Sequence, residues 1–240
     1  MTGGAYFAGP TPRILAHRGL ALGAPENSID AFRAALAVGA THLETDVRAT
    51  ADGEAVLVHD PQVEGEQVDG MTLDRLRQVL PGVCTLGEAL AAVPDAPFNI
   101  DVKHAAAAEP AARAVLAAHS PSRVLVTSFS PTRRRAALRR LPGAATSASA
   151  DGVALMAAGA RLRLPALVAL AARGVQAVQI PERALGADLV TPWTLGEVRR
   201  AGAEVHVWVV NDPARMRELV ARGADGLVTD RADLARDALR

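Results

Sequence analysis

The chain of 240 residues has a single cysteine, Cys84, so it can form no internal disulfide and offers no thiolate cluster for a soft metal. Aromatic residues make up only 3% of it while half is apolar, so the core must rest on Ala, Leu and Val. An excess of charge is missing too. The 26 basic and 26 acidic residues cancel, which removes the global attraction that nucleic acid or an anionic membrane would exploit. No uncharged apolar run reaches the roughly 18 residues of a transmembrane helix, so no stable membrane insertion is expected. Met1 to Pro12 lacks a basic segment followed by a long apolar stretch, and the default expectation is a cytoplasmic protein without a signal peptide. The basic run Arg133-Arg134-Arg135, with Arg139-Arg140, lies in a helical pattern and reads as a solvated helix face.

What the chain does have is a regular alternation. Strand-like segments fall at 14–16, 42–48, 98–102, 124–127, 144–148, 177–180, 205–210 and 226–228. Helical patterns separate many of them, at 28–38, 73–79, 86–93, 132–141, 164–173, 194–201 and 213–222. The first helix has Asn27 or Ser28 as its N-cap, Phe32 and Leu36 on one face, and Gly39 as its stop. A turn at Ala51-Asp52-Gly53 leads into 55–58, a short hairpin extension after the second strand. Strand–helix alternation demands crossovers and so a parallel sheet; about eight units in this length suit a closed (β/α)8 TIM barrel. An open doubly wound sheet would carry a glycine-rich dinucleotide turn after strand one, and His17-Arg18-Gly19-Leu20-Ala21-Leu22-Gly23 lacks that spacing. No linker divides the chain, so one α/β domain over 1–240 is expected, with its core at about 13–233.

Polar residues recur where barrel enzymes keep their chemistry. His17, Glu44, Asp46, Asp101 and Lys103 all fall at or near the C-terminal ends of strands, with Ser128, Trp208, Asn211 and Asp230 in similar places later on. Glu44 and Asp46 alternate on one strand, so both carboxylates project to the same side. Two such anions need a cation or a shared proton between them, and hard oxygens suit Ca²⁺ or Mg²⁺. Asn211 and Asp230 are expected to cap the segments after them, and Glu182 either reaches the mouth or faces solvent.

The ordered set His17-Arg18-Gly19, Pro25-Glu26-Asn27-Ser28, Leu43-Glu44-Thr45-Asp46-Val47, Asp52-Gly53, His59-Asp60-Pro61 and Asn99 to Lys103 resembles the glycerophosphodiester phosphodiesterase family. The tail is similar as well, at 207–211 and 223–230. The resemblance implies a TIM barrel and metal-dependent hydrolysis of a glycerophosphodiester to an alcohol and sn-glycerol 3-phosphate. By position it implies Glu44, Asp46 and Asp101 as ligands of one divalent cation, Mg²⁺ or Ca²⁺ with Mn²⁺ also open. It implies His17 and His59 as the acid–base pair, without saying which is which, and Arg18 and Lys103 as phosphate contacts. Trp208 is the candidate wall for the substrate's organic part. Two features depart from the family pattern: Asp101 stands where Glu is usual, and 62–70 is a short acidic segment. The second leaves an open mouth, so a lysophospholipase D-type activity stays as an alternative, as does a weakly catalytic phosphodiester binder.

Overall fold

The computed structural model describes residues 4–239. Eight parallel strands run in chain order as β1 (Arg13–Ala16), β2 (His42–Ala49), β3 (Phe98–Val102), β4 (Val124–Thr127), β5 (Ala145–Thr146), β6 (Ala177–Ile180), β7 (Glu204–Val207) and β8 (Gly226–Thr229). They pair as β5-β4-β3-β2-β1-β8-β7-β6, and a parallel bridge between Ser147 and Ala177 joins the two ends. That seam is thin, with Ala148 N–H on the Ala177 carbonyl at 3.1 Å and Gln176 N–H on that of Thr146 at 3.0 Å. The expected barrel is therefore present, and so is the hairpin arm: Ala55–Leu57 runs antiparallel along the end of β2.

Ten helices among the described residues surround the strands: α1 (Ile29–Ala37), α2 (Leu73–Val79), α3 (Leu86–Ala92), α4 (Ala108–Ala117), α5 (Pro131–Leu138), α6 (Ala150–Leu162), α7 (Pro165–Ala171), α8 (Pro192–Arg200), α9 (Pro213–Ala221) and α10 (Ala232–Ala238). Local chemistry sets where most of them begin. Ser28, Thr72, Thr85, Ser130, Thr191 and Asp212 each accept an N–H of the first turn. A proline with its φ already set follows the cap of α5, α8 and α9. Helices α4, α6 and α10 have no counterpart among the sequence expectations. The faces of α6 differ little in polarity and give no clear helical period, whereas α4 does carry a marked apolar face, from Ala108 to Val115, that the sequence reading did not single out.

Two strands are shorter than expected. Beyond Val207 the chain leaves the ladder but stays anchored, with Trp208 N–H on the Ile180 carbonyl and Val210 N–H on that of Val228, both at 3.0 Å. The register of β2 on β3 matters most for function, because it pairs Asp46 with Asp101 and Glu44 with Asn99.

The N-terminal end of the barrel is closed by a paired charge. Arg13, 2% exposed, reaches Glu204 through Nε at 2.6 Å and Nη2 at 2.8 Å, and donates to the Phe7 carbonyl at 2.9 Å. Burial would raise the Glu204 pKa, yet hydrogen bonds from Arg13 and His206 hold it down at about 2. A carboxylate whose native pKa is depressed stabilises the fold above its unfolded pKa and loses that stability as pH falls towards the native one. Glu204 should thus stabilise the fold at neutral pH, an effect that fades as pH falls below roughly 4.5. The Glu204→Gln variant is expected to unfold with a weaker acid dependence in urea titrations between pH 5 and pH 2, about the window just given. An unchanged dependence would contradict the pairing.

Candidate active site

The functional side chains gather at the opposite end. Glu44 and Asp46 leave β2 on the cavity side, and Asp101 lies beside Asp46 on β3. All are buried, at 6%, 1% and 6% exposure. Burial raises the Glu44 pKa well above the carboxylate range, and the negative charges of Asp46 and Asp101 add to it. Burial also raises Asp101, against the pull of Lys103. Asp46 goes the other way: burial opposes ionisation, but Lys103 and Arg18 hold it below its ordinary value.

Those two cations are held in place by the carboxylates. Lys103 Nζ sits 2.8 Å from Asp46 Oδ1 and 2.6 Å from Asp101 Oδ2. Arg18 Nε lies 2.9 Å from Asp46 Oδ2, while its Nη1 spans both oxygens of Glu26 at 3.0 Å. The backbone N–H of Arg18 donates to Glu44 Oε2 at 3.1 Å. That contact depends on a left-handed turn, with φ 56° at Arg18 and 86° at Gly19. A Cβ on Gly19 would stand 2.7 Å from the Ala31 carbonyl carbon, so only glycine brings α1 this close. Asn27, buried and also left-handed at φ 55°, accepts from the Thr45 hydroxyl at 2.7 Å and the Asp46 N–H at 3.2 Å. Ser28 is the N-cap of α1, and Asn27 is a brace for β2.

Both candidate histidines have Nδ1 on a carboxylate. His17 Nδ1 lies 2.7 Å from Asp230 Oδ1, and His59 Nδ1 lies 2.8 Å from Asp60 Oδ1. Each pairing leaves Nε2 as the ring atom available to a ligand. Asp230 is itself fixed by the Asn211 side-chain amide at 2.7 Å, and Asn211 accepts from Thr229 and from the Asp230 N–H. This corrects the capping expectation for both residues. Asp212 caps α9, and α10 starts without a side-chain cap. Sequence spacing gave no sign of the His17–Asp230 pair, because 213 residues separate the partners. Arg48 anchors the other histidine by donating twice to the His59 carbonyl, at 2.9 and 2.7 Å. Glu182 turns to Arg215, at 2.9 Å from its Nε. Arg133 departs from the solvated-face expectation and reaches back to the Lys103 carbonyl.

His17, His59, Arg18, Lys103, Glu44, Asp101 and Trp208 line one cavity of about 510 Å³. Asp46 does not line it, being covered by its two cations. No three His, Cys, Asp or Glu side chains among the described residues converge as a ready ligand set, since Lys103 Nζ lies between Asp46 and Asp101. The donors nevertheless fit a hard cation. Asp101 Oδ1 is buried without a hydrogen-bond partner, and Glu44, held only by the Arg18 backbone N–H and 3.9 Å from His17 Nε2, has no Lys or Arg side chain among the described residues paired with it.

The glycerophosphoryl diester phosphodiesterase family matches residues 17–234. The chain belongs to that family. It is 39% identical over 237 residues to a Mycobacterium tuberculosis protein named probable glycerophosphodiester phosphodiesterase 2, covering 94% of this chain and 89% of the relative. It is 25% identical over 242 residues to a glycerophosphodiester phosphodiesterase of Caldanaerobacter subterraneus, covering 90% of this chain and 93% of the relative. Among solved structures, a putative family enzyme from Silicibacter pomeroyi shares the barrel with a TM-score of 0.77 at 23% identity, over 100% of this chain and 97% of its own. An Oleispira antarctica phosphodiesterase solved with sn-glycerol 3-phosphate shares it at 0.75 and 21%, over 95% and 96% of the two chains.

If Lys103 neutralises the buried carboxylates, its loss strands two of them. Lys103→Met should lower stability by about 3–5 kcal/mol. Thermal unfolding checks this, and an unchanged Tm would contradict the pairing.

Proposed function

We propose that this protein hydrolyses glycerophosphodiesters to an alcohol and sn-glycerol 3-phosphate, with two histidines exchanging protons beside one divalent cation. The observation that carries the reading is the convergence, in one cavity, of His17 and His59 with Glu44, Asp101 and Lys103. Family membership supports the substrate class, and the relatives named above carry the name of that activity.

The chemistry follows from the residues. Breaking a P–O bond requires the attacking oxygen to lose a proton and the departing alkoxide to gain one. The carboxylate on Nδ1 fixes each ring and favours a proton at that nitrogen, so Nε2 of one histidine accepts while that of the other donates. Arg18 and Lys103 line the cavity as the basic groups that would contact and orient a phosphodiester monoanion. Glu44, Asp46 and Asp101 are the residues that would hold the cation. When bound, a cation of this kind offsets phosphate charge and polarises a phosphoryl oxygen.

The experiment is release of glycerol 3-phosphate from glycerophosphocholine by chelator-stripped protein, with Mg²⁺, Ca²⁺ or Mn²⁺ then returned. Stripping should abolish turnover and one or more of these ions should restore it. His59→Ala should lower kcat by roughly 10²–10⁴-fold with the fold intact. Asp230→Asn should lower it by roughly 10–100-fold and shift the pH–rate profile, because it acts through His17. Full activity after stripping, or in His59→Ala, would overturn the mechanism.

A further inference from the structure

The cavity's charges all lie on one side. His17, Arg18, Glu44, His59, Asp101 and Lys103 come from β1, β2, β3 and the segments directly after them. No lining residue from β4 round to β8 carries a charge. That half carries Thr127, Ser128, Ser149 and Gln179 but is otherwise apolar, and it is open to water, with Phe129 57%, Leu185 71% and Val209 40% exposed. Val153 and Ala154 complete it one turn into α6, on the same face as Ala150. Large apolar side chains left in water at the rim of a charged cavity are suited to cover hydrocarbon.

Leu185 is the most informative of them. With Gly186 it forms the two-residue link between the short strands Arg183–Ala184 and Ala187–Asp188, at φ 47° and 75°. Two positive φ angles make a hairpin turn in which Asn-Gly is the favoured pair. A leucine there is strained and largely exposed, so neither the turn nor the core accounts for it. Its side chain lines the cavity.

A cationic head group fits the wall less well. Phe129 and Trp208 meet edge to face, with centroids 6.0 Å apart at 74°, a pair that could attract a quaternary ammonium. Lys103 Nζ already stands 6.0 Å from the Phe129 centroid, so a second cation there meets like charge.

We propose that the wall of Phe129, Val153, Ala154, Leu185, Trp208 and Val209 binds a hydrocarbon substituent of the phosphodiester, making the preferred substrates amphiphilic. This rests on the phosphodiesterase reading above. The hydrocarbon can be the leaving alcohol itself or an acyl chain on the glycerol; the chemistry recognised is the same.

The test compares kcat/KM for the ethanol, butanol and hexanol esters of glycerol 3-phosphate, and for glycerophosphocholine against its short hexanoyl lysophospholipid, all as monomers. A rise of about two- to fourfold per methylene is expected in at least one of the two comparisons. A rise in the first places the chain on the leaving alcohol; a rise in the second places it on the glycerol. Leu185→Asn, which suits the left-handed turn and so preserves the fold, should flatten that rise, as should Phe129→Ser. If the small diesters are turned over but neither comparison rises, the apolar wall is wrong and the phosphodiesterase reading stands. If no diester is turned over with any cation, both fall.

Discussion

Three carboxylates pressed together where water is scarce are the constraint around which this molecule is arranged. Glu44, Asp46 and Asp101 come from adjacent strands whose register places two of them side by side. Left alone they would repel, and burial would multiply the cost. Lys103 and Arg18 offset part of it and pull the Asp46 pKa down, while burial and the neighbouring carboxylates still raise that of Glu44. The remaining shortfall of positive charge is the physical reason to expect a divalent cation.

The two ends of the barrel show how differently a buried charge can be handled. At the N-terminal end Glu204 meets Arg13 through two hydrogen bonds and is fully compensated. At the C-terminal end the charges are only partly satisfied, and much of the local backbone serves to hold them there. The left-handed turn at Arg18 and Gly19 aims an N–H at Glu44, and Asn27 ties the first loop to β2. Arg48 and Asn211 act at one remove, fixing the His59 backbone and the Asp230 carboxylate. Strain and excess charge are tolerated where a ligand relieves them.

Much of this was legible in the sequence, for identifiable reasons. Strand positions were clear because β-branched runs alternate with capped segments, as at Phe98–Val102, Val124–Thr127 and Ala177–Ile180. The carboxylate pair on β2 was clear because a strand's period is two. Helix α6 was not, since its alanine-rich turns barely distinguish a buried face, and α4 and α10 are short segments outside the expected pattern, α4 despite a clear apolar face. The partners of His17 and Lys103 were hidden for a different reason: they are set by closure of the barrel and by side-chain reach. Asp230 meets His17 only because β8 pairs with β1, a contact without local signature. The apolar wall was equally hidden, because its members come from separate loops and meet only in the folded chain.

Whether the carboxylate cluster takes up a cation decides how this barrel works. Calorimetric titration of Mg²⁺ and Ca²⁺ into chelator-stripped protein tests this directly, beside Glu44→Gln and Asp101→Asn variants whose folding is checked by circular dichroism. One cation per chain should bind to the unaltered protein, and binding should be markedly weaker in both folded variants. Absence of binding, or equal affinity in all three, would contradict this.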